Sequence, residues 1–225
     1  MLNLFSVQLQ EMLSPAAASL RASGDDEGLR QLLLQSSRLT FLLVTPCYVL
    51  SAVYLEPLIG LLTGMESVPR QTWWIGQALL LAIYSSQLTN SCSKRVLMMC
   101  GQEKRLLGIS LGDAAANLVL SVILAYRFGV LGVAVGTMIP TMIVGWCWVV
   151  PLTLRTLNLR FGQYLAYHFK GTAGPLLAFG MVIAAIAIWV PAAGDSGFFD
   201  LGWRGVVCMA PLLLLGYPTI RAITR

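Results

Sequence analysis

The stretch that most constrains the fold of this chain runs from Leu97 to Thr153. It contains two apolar runs of about 20 residues each, the length at which an α-helix crosses the hydrocarbon core of a bilayer. The runs are joined by a short turn at Tyr126–Gly129 and preceded by the charged segment Gly101–Arg105. This pattern predicts a transmembrane helical hairpin.

The composition extends this interpretation to the whole chain. Of its 225 residues, 57% are hydrophobic and only 11% are charged, and the mean hydropathy is +0.75. A soluble domain carries roughly twice that share of charge. The apolar runs are continuous rather than alternating, which argues against a β-barrel. The sequence therefore predicts an all-α, polytopic transmembrane bundle.

About seven candidate spans follow along the chain, two of them in the hairpin. Between Arg155 and Lys170, aromatic and polar residues are interleaved, a pattern typical of a helix lying at the membrane interface. Residues Glu56 to Thr72 are predicted as a loop or a short re-entrant segment. The other candidate spans are about Leu2–Leu20, Leu32–Leu55, Trp73–Met99, Ala173–Val190 and Trp203–Ile220.

The positions of lysine and arginine predict the orientation. If successive loops alternate sides, 12 of the 15 basic residues fall on one side, and only Arg70, Arg127 and Arg204 fall on the other. By the positive-inside rule, the richer side is cytoplasmic, and so is the C-terminus. The same alternation places Met1 outside with no preceding span. We therefore expect the chain to be a piece of a longer protein.

Several short motifs resemble the second lobe of the polysaccharide flippases, the Wzx-like exporters of O-antigen and capsule repeat units that share the multidrug and toxin extrusion fold. Each motif is short, and their order and spacing carry the resemblance, which covers residues from about 5 to 160. The motifs are Gly101-Gln-Glu-Lys104, Asn117, Phe128–Thr137 and, earlier, Leu13–Leu20 followed by Asp25–Glu27 and Arg30.

The resemblance implies a fold and a function. It implies that residues 1–160 form the second-lobe bundle without its first helix, and that residues 161–225 add an interfacial helix and two further spans. It implies alternating-access export of lipid-linked oligosaccharide on a polyprenyl diphosphate across the bacterial inner membrane. The expected partners are this substrate, membrane lipids and a missing N-terminal lobe, with no nucleic acid and no cofactor.

Asp113 and Asn117 are the first candidate site residues. Asp113 lies about 15 Å from the start of its helix at 1.5 Å per residue, near mid-membrane, where an acid costs on the order of 2.5–3.5 kcal/mol. Asn117 lies one turn further along the same face. The pair is interpreted either as a polar patch in a transport cavity, binding a proton or sodium ion, or as a polar clasp between helices. The clasp is favoured for Asn117.

Gln87, Asn90 and Lys94 occupy one face of the third span, spaced i, i+3 and i+7. They are interpreted as a hydrated wall in which Lys94 attracts a diphosphate. Alternatively, Lys94 extends to the cytoplasmic headgroups. The same two interpretations apply to Arg38, near the start of the second span.

Glu11 lies in the middle of the weak first span. It is a proton-coupling candidate if that span crosses the membrane, and a solvated side chain if the segment lies on the surface. His168, among aromatic residues, is predicted as an interfacial anchor. The sequence contains no nucleophile–base motif, metal-ligand spacing or GxxxxGK[ST] loop, so neither an enzyme nor a metal site is expected.

Two alternatives to a flippase stay open. A multidrug or cation antiporter would have an acidic rather than a cationic cavity and would tolerate replacement of Lys94 by Gln. A non-transporting membrane scaffold or remnant would restore no export in a flippase-null strain.

Overall fold

The computed structural model describes residues 14–64, 67–170 and 172–189, without the side chains of residues 91 and 182–189. These residues are helical throughout, apart from short turns, and contain no strand. The all-α class is thus confirmed for the described chain. The helices are α1 (14–22), α2 (Asp26–Val53), α3 (Leu55–Thr63), α4 (Arg70–Met99), α5 (Glu103–Phe128), α6 (Val130–Val144), α7 (Val150–Thr156), α8 (Phe161–Phe169) and α9 (Ala173–Trp189).

Three helices of the described chain are long and apolar enough to cross a membrane. They are α2, α5 and the continuous helix Val130–Thr156, which comprises α6, a π turn over Gly145–Val149, and α7. They correspond to the second, fourth and fifth predicted spans, and they are compatible with a membrane protein. The full count of about seven spans stays a prediction.

The third predicted span corresponds to α4, and its crossing of the membrane stays a prediction. α4 has 30 residues, and it is long enough to cross a bilayer, but it is not one of the sufficiently apolar helices. Serine, threonine, glutamine and asparagine recur along it and lower its hydropathy. The sixth predicted span corresponds to α9, which has 17 residues. The seventh and most of the first lie outside the described residues.

α2 begins six residues before the predicted start at Leu32, since Asp25 caps it. Oδ1 of Asp25 accepts a hydrogen bond of 2.8 Å from the Gly28 amide. Asp26 and Glu27 lie in the first turn, where the helix dipole favours acids. The chain then passes through buried Pro46 without leaving the helix.

α5 and α6 form the hairpin predicted from the sequence, joined through the single residue Gly129. Its φ of 61° lies in the left-handed region, which glycine adopts without steric cost. Gly132 and Gly136 then allow the two helices to approach closely. A Cβ at Gly136 would lie 2.5 Å from the Ser121 Cα, and one at Gly132 would collide with the Leu124 carbonyl.

The π turn precedes Pro151, which has no amide proton to donate to the carbonyl four residues earlier. A π turn accommodates such a missing bond within a continuous helix. Trp146 in this turn donates from Nε1 to Ser85 Oγ of α4 at 3.2 Å, so the turn is attached to α4.

α4 lies at the centre of the bundle and contacts α2, α3, α5, α6, the π turn and α7. Near one end, a buried apolar cluster combines Leu29 and Leu33 of α2 with Cys92 and Val96 of α4 and Leu157. A second cluster combines Leu97 of α4, Leu106 of α5, Val144 and Val149. The start of α2, the end of α4, the start of α5 and the end of α7 therefore share one end of the bundle.

α8 begins at Phe161, where the second predicted segment starts, and it packs on α2. Tyr164 and His168 form its buried face, while Phe161, Leu165 and Phe169 are exposed. Both predicted segments thus contribute to one bundle.

Candidate functional site

The central helix α4 carries polar residues on two opposite faces. The buried face contains Ser85, Thr89, Cys92 and Ser93, all nearly inaccessible to solvent. Thr89 Oγ1 donates to the Ser85 carbonyl at 2.8 Å and lies against Gly145, where no Cβ would fit. Ser85 Oγ in turn accepts a hydrogen bond from Trp146 Nε1, so this face is a packing surface.

The opposite face contains the predicted residues Gln87, Asn90 and Lys94, here called the α4 stripe. All three are half-buried. On the same helical face, Ile83 and Met98 are exposed, four residues before Gln87 and four after Lys94. The stripe therefore points away from the bundle's buried core.

The polar atoms of the stripe are incompletely satisfied. Asn90 Nδ2 donates to Ser86 Oγ at 3.2 Å, but Asn90 Oδ1 is buried and has no hydrogen-bond partner among the described residues. Lys94 makes no ion pair with any described carboxylate. A buried amide oxygen without a donor is costly unless water or a ligand reaches it, so the stripe is suited to contact water or a polar solute.

Asp113 and Asn117 lie on the face of α5 that packs on α6. Asn117 Oδ1 accepts hydrogen bonds from Ser121 Oγ at 3.2 Å and from Thr137 Oγ1 of α6 at 3.4 Å. Asn117 thus bridges the two helices. Asp113, one turn earlier, is half-buried, and its Oδ1 has no hydrogen-bond partner in the described chain. Asp113 is therefore an acid with an unsatisfied oxygen on the face of α5 that packs on α6.

Arg38 belongs to α2, and its side chain extends towards α8. Its Cζ is 5.4 Å from the centroid of the Tyr167 ring, a distance at which the ring face attracts the cation. Its Nε is buried and has no hydrogen-bond partner among the described residues. Glu11, the remaining predicted site residue, lies outside the described residues.

The structure reveals a buried cluster around His168 that sequence reasoning missed. His168 is only 9% exposed, so it is a packed residue rather than an exposed interfacial anchor. Its ring lies 4.3 Å from that of Tyr164 and 6.0 Å from that of Phe41, and Nδ1 is 2.9 Å from the Tyr164 carbonyl. Phe41, Trp146, Tyr164 and His168 help to line an adjacent cavity of about 190 Å³.

Burial dominates the protonation behaviour of this cluster. Burial lowers the pKa of His168. Hydrogen bonds to the backbone of Tyr164 and Ser37 raise this pKa, and the charge of Arg38 lowers it, so that the net effect is a lowered pKa. Burial also raises the pKa of Tyr164 to about 12. Both side chains are therefore neutral near pH 7. The i, i+4 spacing of Tyr164 and His168 was the sequence signal for a common buried face.

Within the described residues, no three His, Cys, Asp or Glu side chains come together as a metal site. The six predicted candidates within the described residues fall into three places: the α4 stripe, the α5–α6 interface and the α2–α8 interface. No protein family, curated protein or solved structure matches the chain.

Proposed function

We propose that the chain is part of a transporter that moves lipid-linked oligosaccharide or polysaccharide repeat units across the bacterial inner membrane by alternating access. The α4 stripe is the observation that carries this proposal. It belongs to a helix of bilayer-spanning length that packs between the candidate membrane helices α2 and α6. Among the described residues, Asn90 Oδ1 nevertheless has no hydrogen-bond partner and Lys94 forms no ion pair. Inside a membrane, polar side chains on a helix are accommodated where they line a water-filled path.

The chemistry of the stripe suits a phosphorylated, sugar-bearing lipid. A diphosphate has a high free-energy cost in hydrocarbon, and a half-buried lysine offsets that cost by Coulomb attraction. Amide groups such as those of Gln87 and Asn90 exchange hydrogen bonds with sugar hydroxyls and water. Lys94 would therefore attract the diphosphate, and the amides of Gln87 and Asn90 would form hydrogen bonds with the sugar.

The charge distribution supports entry from the cytoplasmic leaflet. Arg30, Lys104, Arg105 and Arg155 all lie near the bundle end shared by the start of α2, the start of α5 and the end of α7. In a bacterial membrane, such an end is cytoplasmic by the positive-inside rule. We propose the same side for the C-terminus, with about seven spans in all.

We further propose that these helices form a second lobe of the extrusion type. The described helices pack on the buried face of α4 and leave the α4 stripe half-exposed. A companion lobe facing this stripe would complete the cavity, and the two lobes would rock about it.

The proposal is tested in a strain whose polysaccharide flippase gene is deleted, by expressing the protein with its companion lobe. We expect surface polysaccharide to be restored by the wild type and by Lys94→Arg. Lys94→Gln should lower export about tenfold to a hundredfold, because a charge-assisted hydrogen bond contributes roughly 1.5–3 kcal/mol. Lys170→Gln, which removes an exposed lysine outside the stripe, is the matched control and should export normally.

If every form of the protein is present in the inner membrane but none restores polysaccharide, the flippase proposal is wrong and the scaffold interpretation is left. Normal export by Lys94→Gln would remove Lys94 from the pathway.

A cation or multidrug antiporter is the second candidate, favoured by the unpartnered carboxyl oxygen of Asp113. In that case Asp113→Asn should abolish efflux of a cationic dye, while Lys94→Gln leaves it unchanged. The flippase predicts no dye efflux from either form.

A further inference from the structure

A groove opens at the cation-rich end of the bundle, between the start of α5 and the end of α7. It has a volume of about 550 Å³, within the size range of small-molecule sites. Arg105 of α5 and Arg155 of α7 flank it, and Ile109, Trp148 and Leu152 form apolar walls. We call it the α5–α7 groove.

The charge of the groove is uncompensated. None of its lining residues is acidic, and neither Arg105 nor Arg155 forms an ion pair within the described chain. Two other arginines at the same end are paired with acids: Arg21 with Asp26 and Arg30 with Glu27, each at 3.1 Å. Two unpaired guanidinium groups facing one groove are complementary to an anion, and guanidinium binds phosphate through two parallel hydrogen bonds.

The apolar walls extend from the arginines along two candidate membrane helices. Trp148 precedes Arg155 by seven residues, which corresponds to about 10 Å along a helix, and 54% of Trp148 is exposed. Tryptophan is favoured at the boundary between headgroups and acyl chains. The α5–α7 groove thus has a cationic rim at headgroup level and an apolar wall below it.

Gly108 keeps the groove open. A Cβ built at Gly108 meets no atom within 4 Å, so a larger side chain there would project into free space of the groove. Steric filling can therefore be tested separately from charge.

From these observations we propose that the α5–α7 groove binds an anionic phospholipid of the surrounding leaflet. Arg105 and Arg155 hold the phosphate, and Trp148 and Leu152 contact the start of an acyl chain. The inference requires only that the helices lie in a membrane, and it does not depend on what the chain transports.

The test is native mass spectrometry of the whole protein, released from nanodiscs that contain equal amounts of phosphatidylglycerol and phosphatidylcholine. We expect the wild type to retain phosphatidylglycerol preferentially. Arg105→Gln/Arg155→Gln should reduce that preference roughly thirtyfold, at about 1 kcal/mol for each basic residue near an anionic leaflet. Gly108→Leu should reduce retention of both lipids, because it fills the groove without changing charge.

The matched control is Lys104→Gln/Lys170→Gln, which removes the same charge from exposed positions outside the groove. It should retain phosphatidylglycerol as the wild type does. Equal retention of the two lipids by the wild type, or an equal loss in the control, would overturn the proposal. Binding of inorganic diphosphate that competes fully with the lipid would also overturn it, since the site would then take free phosphate.

Discussion

His168 is the only histidine of the chain, and its surroundings determine how it responds to pH. It is enclosed by Phe41 of α2 and by Tyr164 of its own helix, with Arg38 close enough to disfavour a second positive charge. The neutral ring is therefore the form that this packing stabilises. Protonation would place a charge between α2 and α8.

We predict that His168 makes stability dependent on pH in a defined window. Its pKa is lowered from 6.5 by burial, so below about pH 6.5 the unfolded chain binds a proton more readily than the folded chain. The contribution of neutral His168 is complete above that pH and is lost as the pH falls towards the lowered pKa. Unfolding of purified protein in detergent should therefore show a free energy that decreases as the pH falls below about 6.5.

The comparison variant is His168→Gln, whose side chain does not titrate. Its unfolding free energy should change less across the same window, even if packing losses lower it at every pH. Parallel pH curves for wild type and variant would contradict the buried neutral histidine.

At the scale of elements, the α5–α6 hairpin depends on close backbone contact. Gly136→Ala would place a Cβ 2.5 Å from the Ser121 Cα, and the helices would have to separate. We expect a loss of about 1–3 kcal/mol, the usual cost of overpacking, measured as a lower unfolding midpoint in detergent.

Gly112→Ala on α5 is the control for helix propensity, because a Cβ there meets nothing within 4 Å. It should be neutral or stabilise the helix by up to about 1 kcal/mol. Equal effects of the two substitutions would mean that α5 and α6 are not in the described contact.

The elements also differ in how far the sequence predicts them. The hairpin could be predicted because two predominantly apolar runs of bilayer length, separated by Gly129, leave few alternatives. The acids Asp25 to Glu27 were predicted to favour the N-terminus of the second helix, but the span was started at Leu32, where its apolar run begins, and the capping hydrogen bond of Asp25 to Gly28 places the helix start earlier. α4 was predicted as a helix. Its sequence does not show that Thr89 and Ser85 are hydrogen-bonded while Asn90 Oδ1 is not, because this difference depends on how the helices pack.

The same limit applies to the candidate site. The helical spacing of Gln87, Asn90 and Lys94 predicted that they share one face, and in the structure all three residues are half-buried. The α5–α7 groove could not be predicted, because Arg105 and Arg155 are separated by 50 positions in the sequence and meet only when α7 returns beside α5.

At the scale of the whole molecule, the three apolar helices and α4 have complementary roles. α5 exposes a broad apolar face, including Leu111, Leu118 and Val122, which is suited to lipid. α4 instead turns its stripe outward from the centre of the bundle. The central claim is that the α4 stripe is in contact with water, whereas the exposed apolar face of α5 is in contact with the hydrocarbon of the membrane.

Site-directed labelling of a cysteine-free protein in intact membranes tests this claim most directly. Asn90→Cys should react with a water-soluble charged maleimide at least about tenfold faster than Ile123→Cys on the exposed α5 face or Thr89→Cys on the buried α4 face, because the reactive thiolate forms only in contact with water. Labelling of Asn90→Cys as slow as that of the other two would contradict a hydrated α4 stripe.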